Sequence, residues 1–392
     1  MNRQKYEVAD VFNRHDNDFY QRFSISPEQF KVMNLLKICR TASLGGHLEQ
    51  CDQCGHERPA YNSCRNRHCP KCQTMVKEQW LNNRRSELLP CGYFHMVFTL
   101  PHDLNPVILC NKKPLLDVLF DAVNVTLSRF GKDPQWRLTG KIGFIGVLHT
   151  WSQTLMDHFH LHCLIPAGVL SFDENRWNPS RKKFLFRIKS LAKAFKRIYL
   201  EKLTRLYEKK EVQFPGNTGC FASPNAFYKL IATVRKKEWI AYAKRPFAGP
   251  EQVLEYLGRY THRIAISNHR ILDIQDGRVL FSYRDRSDNN RKKTMNLEAV
   301  EFIRRFLLHV LPDGFVKIRY YGFLAHRNKN RCIPLIRKLI DPDAVDPEKI
   351  EETAAEIMLR VTGMNISCCR ACGKGTMRPI MAIEKPEICD SS

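Results

Sequence analysis

The run Asp157-His158-Phe159-His160-Leu161-His162-Cys163 alternates imidazoles with apolar side chains. In a β-strand successive side chains point to opposite faces. His158, His160 and His162 therefore share one face, and Phe159, Leu161 and Cys163 point into a core. Imidazoles two residues apart on a rigid strand can share one divalent ion. An ion held by neutral nitrogens with open positions polarises a phosphate oxygen. The expected metal ligands are His160 and His162 with His158; His149 and Gln153 are further candidates. Mg2+ or Mn2+ suits phosphate chemistry, whereas imidazole alone would also accept Zn2+.

A second pattern supplies a nucleophile. Tyr256 and Tyr260 lie four residues apart in VLEYLGRYTH, which puts both phenols on one face of a helix. Such spacing is common in packed helices, but here Arg259 lies between the tyrosines, and His262 and Arg263 follow. A tyrosine attacking phosphorus needs deprotonation and a polarised phosphodiester. The histidine-bound ion would supply the second need.

Most of the 15 cysteines fall in two clusters near the chain ends. Cys51 and Cys54 form one CxxC and Cys69 and Cys72 another, and two such pairs complete a tetrahedral zinc site. Cys64, His56 and His68 lie between the pairs and could replace a ligand or hold a second ion. Arg65, Arg67 and Lys71 would let this zinc-stiffened loop touch DNA. Toward the other end, Cys368, Cys369, Cys372 and Gly373 form a second CxxCG, with Cys389 farther on. Cys369 and Cys372 are candidates for a second zinc whose ligand set the spacing leaves open. The remaining cysteines, scattered singly, read as buried structural residues.

These groups sit in a chain of 392 residues with 63 Lys+Arg against 40 Asp+Glu, a formal net charge of +23. Such a surplus points to a polyphosphate partner. The start, MNRQKYEVADVFNRHDNDF, lacks the apolar core of a signal peptide, and no apolar run is long enough to span a bilayer. The expected location is the cytoplasm, without membrane contact. There clustered cysteines mean metal more often than disulfide.

The elements that must position the groups read as follows. Residues 1 to about 45 look helical, with Ser26 as N-cap, Pro27 at the first position and Gly45-Gly46 as the stop. A basic amphipathic helix ends near Pro90. Residues 93–101, 142–151 and 157–170 are β-rich, with helical patterns at 113–130 and 187–209. Farther on come a strand over 236–247, a helix over 250–261, a strand and hairpin around Asp276-Gly277, and a helix over 296–312. Hairpin-joined strands with inserted helices favour an α+β fold.

The segments SCRNRHCPKCQ (63–73), GVLHTW (146–151), HFHLHCLIPAG (158–168), YLGRYTHRIAISNHRI (256–271) and IRYYGFLA (318–325) together resemble the rolling-circle insertion-sequence transposases of the IS-ninety-one type. These are HUH endonucleases of the two-tyrosine subgroup. The resemblance covers roughly residues 25 to 375. It implies a central antiparallel sheet with packed helices, a histidine pair on a central strand and a tyrosine helix nearby. The implied reaction is transesterification: tyrosine takes the 5′ phosphate as a phosphotyrosine and frees a 3′ hydroxyl.

The organisation this implies is a helical, zinc-binding, DNA-contacting module over 1–90 and a catalytic domain over 91–325. A basic C-terminal region with the second cysteine cluster follows over 326–392. The implied partners are single-stranded and double-stranded DNA, with host replication proteins compatible, in a bacterial cytoplasm at the nucleoid. Arg65, Arg67, Lys71, Arg259 and Arg263 are the expected DNA contacts. Two alternatives use the same residues less completely: a replication-initiator or relaxase-type nickase, and a non-catalytic zinc-finger DNA-binding protein. A pure binder has no need of paired histidines on a strand and paired tyrosines on a helix.

Overall fold

The computed structural model describes residues 5–136, 138–180, 185–243, 250–285, 287–348 and 351–386; the side chains of Pro250, Glu251, Leu257, Arg259 and Tyr260 lie outside the description. The chain opens with helices α1 (Val8–Arg22) and α2 (Pro27–Lys37). Ser26 and Gln29 form a reciprocal capping box on α2, as the Ser-Pro start predicts. The helix stops at Lys37, earlier than the glycine pair suggests; a turn and a short 3-10 helix (Ala42–Leu44) follow, and then the hairpin of β1 (Gly46–Cys51) and β2 (Glu57–Tyr61). Helix α3 (Gln73–Arg85) leads to strand β3 (Tyr93–Thr99), then to helices α4 (Asn105–Cys110) and α5 (Lys112–Lys132).

Strands β4 (Gly143–Trp151) and β5 (Asp157–Pro166) form a hairpin, followed by the short pair β6 (Gly168–Leu170) and β7 (Trp177–Pro179). Helices α6 (Ile188–Glu208) and α7 (Pro224–Lys236), strand β8 (Ala241–Ala243) and helix α8 (Pro250–Tyr260) come next. Of the strand expected over 236–247, the described residues contain only β8. Strands β9 (Ile271–Gln275), β10 (Arg278–Asp285) and β11 (Arg291–Glu298) precede helix α9 (Ala299–Leu308) and strand β12 (Ile318–Gly322). The expected turn at Asp276-Gly277 joins β9 to β10. Helices α10 (His326–Ile340) and α11 (Ala354–Thr362) and strand β13 (Met377–Ile383) complete the described chain.

The central sheet has the order β12-β4-β5-β3-β8, and every neighbouring pair is antiparallel. The fold is α+β. One face carries Phe94, Phe98, Phe144, Leu148, Phe159, Leu161 and Cys163, which pack into the largest core under α4 to α7. Burying each large side chain there contributes roughly 1.5–3 kcal/mol. The other face carries Tyr93, Ile145, Val147 and Leu164, covered by Val253 and Tyr256 of α8 and by Ile333 and Ile336 of α10. The period-2 alternation of β5 thus presents the even-numbered histidines on the α8 side.

A second core joins α1, α2 and α9 to the sheet β11-β10-β9. A third sheet, β13-β1-β2, brings the C-terminal strand against the first hairpin. The strand that follows the C-terminal cysteines is therefore built into the sheet of the N-terminal hairpin. Among the described residues, no helix is long and apolar enough to cross a membrane.

Candidate active site

Three imidazoles converge where β4 and β5 lie side by side. His149 stands opposite His160 in the ladder, and His162 follows on the same face. One ring nitrogen from each lies within 4.8 Å of the others, and all three residues are buried. His160 Nδ1 is 2.7 Å from the His158 carbonyl. It must donate there, so its lone pair is on Nε2. His162 Nδ1 lies 2.9 Å from His95 Nε2 and 3.1 Å from the Tyr256 hydroxyl. The His95 ring stacks nearly parallel to that of His162, with centroids 5.1 Å apart. A set of three imidazoles with oriented rings fits a divalent ion.

The grouping differs from the expected set at one residue. His158 shares the strand face, but it is not among the three converging residues; its ring stacks on His102, 5.4 Å away. The reason is spacing. His158 and His162 lie on either side of His160, four residues and about 13 Å apart along the strand, whereas His149 stands opposite His160 with its ring 5.4 Å from that of His160 and 4.5 Å from that of His162. The cross-strand His149 therefore completes the cluster.

Tyr256 projects from α8 into the sheet face and is 7 % exposed. Its ring lies 4.4 Å from His95. The phenol thus contacts the Nδ1 side of His162, away from Nε2. Gly258 lets α8 approach α3 closely: a Cβ there would lie 3.0 Å from Leu81 Cδ1. The side chains of Tyr260 and Arg259 lie outside the described residues. The histidines open on a cavity of about 380 Å3 that also meets Trp151, Asp157, Arg263 and Tyr283. Burial raises the Asp157 carboxyl above its ordinary range, against the pull of Lys112, Arg304 and His102.

The cysteines assemble differently from the double CxxC expectation. Cys69 and Cys72 join Cys64 and Cys39, while Cys51 and Cys54 join Cys369 and Cys372. In the first tetrad Cys39–Cys69, Cys39–Cys72 and Cys64–Cys72 sulfur distances are 3.5, 3.6 and 3.6 Å. In the second, Cys51–Cys372 and Cys54–Cys369 are both 3.7 Å. Tetrahedral zinc with Zn–S near 2.3 Å requires sulfurs about 3.8 Å apart. Both tetrads match.

A single site from Cys51, Cys54, Cys69 and Cys72 does not form: the first pair sits at the turn of the β1–β2 hairpin and the second beside Cys39 after α2, in separate tetrads. The Gln53 and Gly375 amides donate to Cys51 and Cys372 sulfurs at 3.4 Å. Backbone amides of Gly375 and Lys374 hold the Cys372 thiol down to about 6. His68 stands outside both tetrads; burial holds its imidazole well below the ordinary range, reinforced by Lys317 and Arg67. Cys389 lies outside the described residues.

Two transposase families match the sequence. One, described as "Putative transposase", matches residues 143–332. The other, the IS91-type "Transposase zinc-binding domain", matches residues 11–100. A Sinorhizobium fredii protein named "Putative transposase y4qJ" is 45% identical over 383 residues, 96% of this chain and 95% of that protein. The chain belongs to the IS91/IS801 family of transposases. The transposase for insertion sequence element IS801 of Pseudomonas savastanoi pv. phaseolicola is 28% identical over 312 residues, covering 79% of this chain and 73% of that one.

Within this transposase, the expected DNA-contacting residues divide. Arg67 donates to the carbonyls of Phe315 and Pro312, and Lys71 pairs with Glu7 and donates to the Cys39 carbonyl. Both tie the first cysteine loop to its surroundings. Arg65 is exposed, and Arg263 lines the cavity beside the histidines. Sequence reasoning missed His95 and assigned Cys39 to the isolated structural cysteines. Neither has a spacing signal, because each reaches its partners across separate elements.

Proposed function

We propose that this transposase nicks and rejoins single DNA strands by tyrosine transesterification at the His149/His160/His162 site, moving its element by a rolling-circle route. The observation that carries the reading is the Tyr256 hydroxyl 3.1 Å from His162, a member of a buried three-histidine cluster, in a chain of the transposase family. His149, His160 and His162 would hold the divalent ion, which when bound polarises a phosphate oxygen. Three imidazoles suit Mn2+ better than Mg2+, which prefers oxygen ligands. The two cysteine tetrads would each hold a structural zinc.

The chain's own residues do the rest. His160 is locked in the correct tautomer by the His158 carbonyl. His95 and Tyr256 orient His162. In the reaction, the tyrosine loses its proton and its oxygen bonds to phosphorus. The bond from phosphorus to the 3′ oxygen breaks, and that oxygen takes a proton. One phosphodiester replaces another, so the step reverses when a free 3′ hydroxyl attacks the phosphotyrosine. Tyr256 and Tyr260 are the two nucleophiles, acting in turn. Tyr256 sits on the Nδ1 side of His162, so α8 or the DNA must shift before it meets a phosphate held by the cluster.

The test is a nicking assay on a labelled single-stranded element end, with manganese or chelator. Cleavage should require metal and vanish in His160→Ala, while DNA binding survives because phosphate contacts elsewhere supply affinity. Full cleavage by His160→Ala in chelator would refute the reading.

A further inference from the structure

Beside the histidine cavity lies a second cavity of about 600 Å3. The two share Gln153, Arg263, Tyr283 and Arg284, so they form one continuous path. One wall is the end of the first zinc loop and the start of α3, with Pro70, Thr74 and Lys77; the other is the β9–β11 sheet, with Ser282, Arg284 and Lys292. His262, Arg263, His269 and Arg270 form its floor, and none of the described residues lining it is acidic.

The lining is rich in cations. Arg270 is fixed by the carbonyls of Ser282 and Gln153, at 2.7 and 2.6 Å. Burial, and then Arg263, push its guanidinium down to about 10. His262 is pushed down to about 4, first by burial and then by Lys317 and Lys77. Burial, Arg270 and Lys292 lower His269. At the rim, Asp285 is already occupied by Lys293 at 2.9 Å. Within the path, the ion pair of Lys77 with Glu78 offsets one cation. A cavity lined by Lys77, Arg263, Arg270, Arg284 and Lys292 creates a field that favours an anionic backbone. Tyr283, half-buried at the junction of the two cavities, offers a ring on which a base can stack.

We propose that this groove guides the single DNA strand flanking the scissile phosphate, with the zinc loop as one wall. Its volume admits a few nucleotides of one strand and not a duplex. The inference rests on the strand-transfer reading only for what happens at the histidine end; the groove's affinity for a single strand stands apart from it.

The test uses the full chain and labelled oligothymidylates, one just long enough for the histidine cavity and one long enough to fill the groove as well. Fluorescence anisotropy gives the ratio of long to short affinities at several salt concentrations. In Lys77→Ala/Arg284→Ala/Lys292→Ala that ratio should fall on the order of tenfold or more. Three lost phosphate contacts at roughly 0.7 each should reduce the salt slope by about 2. Lys292→Glu, on the exposed edge of β11, should shift it the same way by less, which covers misfolding of the triple variant. Zinc content and manganese affinity should match the parent chain.

An unchanged ratio in both variants overturns the proposal, as does a larger loss for duplex than for single strand. Nicking with an unchanged ratio would refute the groove alone. A collapsed ratio in a chain that never nicks would refute the strand-transfer reading and leave the groove standing.

Discussion

Replacing Cys369 and Cys372 with serine should remove one zinc and free the C-terminal strand. The two residues, just ahead of β13, meet Cys51 and Cys54 at the end of β1. The apolar core of that sheet is small: Cys51, Cys369 and Met377 are its buried members. Met377 contributes about 2 kcal/mol at full burial, whereas zinc binding contributes about 10–16 kcal/mol in small finger domains. The metal therefore dominates the local stability. Metal analysis of the purified chain should give a zinc count of two, one for each cysteine tetrad, falling to one in Cys369→Ser/Cys372→Ser. Limited proteolysis with mass spectrometry should show new cuts within 364–385 while the central sheet stays intact. Cys39→Ser should affect the other zinc and spare that segment. If the C-terminal variant keeps both zincs, or if either variant empties both sites together, the division into two tetrads is wrong.

Three further outcomes follow from particular contacts. His309 is buried, with Thr150 Oγ1 3.3 Å from its Nδ1 and the Leu155 carbonyl 3.0 Å from its Nε2. Burial lowers its pKa from 6.5 to about 4, so the unfolded chain binds the proton more readily, and stability falls as pH drops from 6.5 toward 4. The loss is about 3 kcal/mol, and His309→Gln should flatten denaturant midpoints across that window; an unaltered profile would count against the neutral assignment. Tyr256→Phe removes an orienting hydroxyl from His162 and should weaken manganese binding roughly tenfold by calorimetry, whereas equal affinity would deny it that role. Gly322 has φ +60°, and a Cβ there would lie 1.6 Å from the Ile142 carbonyl oxygen; Gly322→Ala should destabilise the β12–β4 edge by about 2 kcal/mol or more, read as a lower melting temperature, and no change would contradict the close pairing.

The central hairpin was legible because its signals are local. Alternation along 157–163 predicts both the strand and its histidine face, and the Ser-Pro start of α2 predicts its cap. The tyrosine spacing likewise predicts α8. Groupings that depend on the path of the chain were not legible. Cys39 meets Cys64, Cys69 and Cys72 only because the end of α2 comes to rest beside the start of α3. Cys51 and Cys54 meet Cys369 and Cys372 through pairing of strands more than three hundred residues apart. The double CxxC reading assumes that sequence neighbours close the nearest tetrahedron, whereas each pair here finds its partners on another element. His158 shows the same limit on a smaller scale: face is set by alternation, but distance to the partner is set by the neighbouring strand. The second wall of the basic groove comes from a sheet some two hundred residues after the zinc loop, which no local pattern joins to it.

The central claim is that a tyrosine of α8 carries the DNA. It is tested most directly by incubating the full chain with a single-stranded element end and manganese, trapping the covalent product, and mapping the linked residue by mass spectrometry. The account predicts a 5′-phosphotyrosine on the peptide containing Tyr256 and Tyr260. That adduct should be absent from Tyr256→Phe/Tyr260→Phe and from His160→Ala, and each single tyrosine variant should lose the complete strand-transfer reaction. An adduct that persists in the double variant, or cleavage that leaves free 5′ ends with no protein attached, would contradict it.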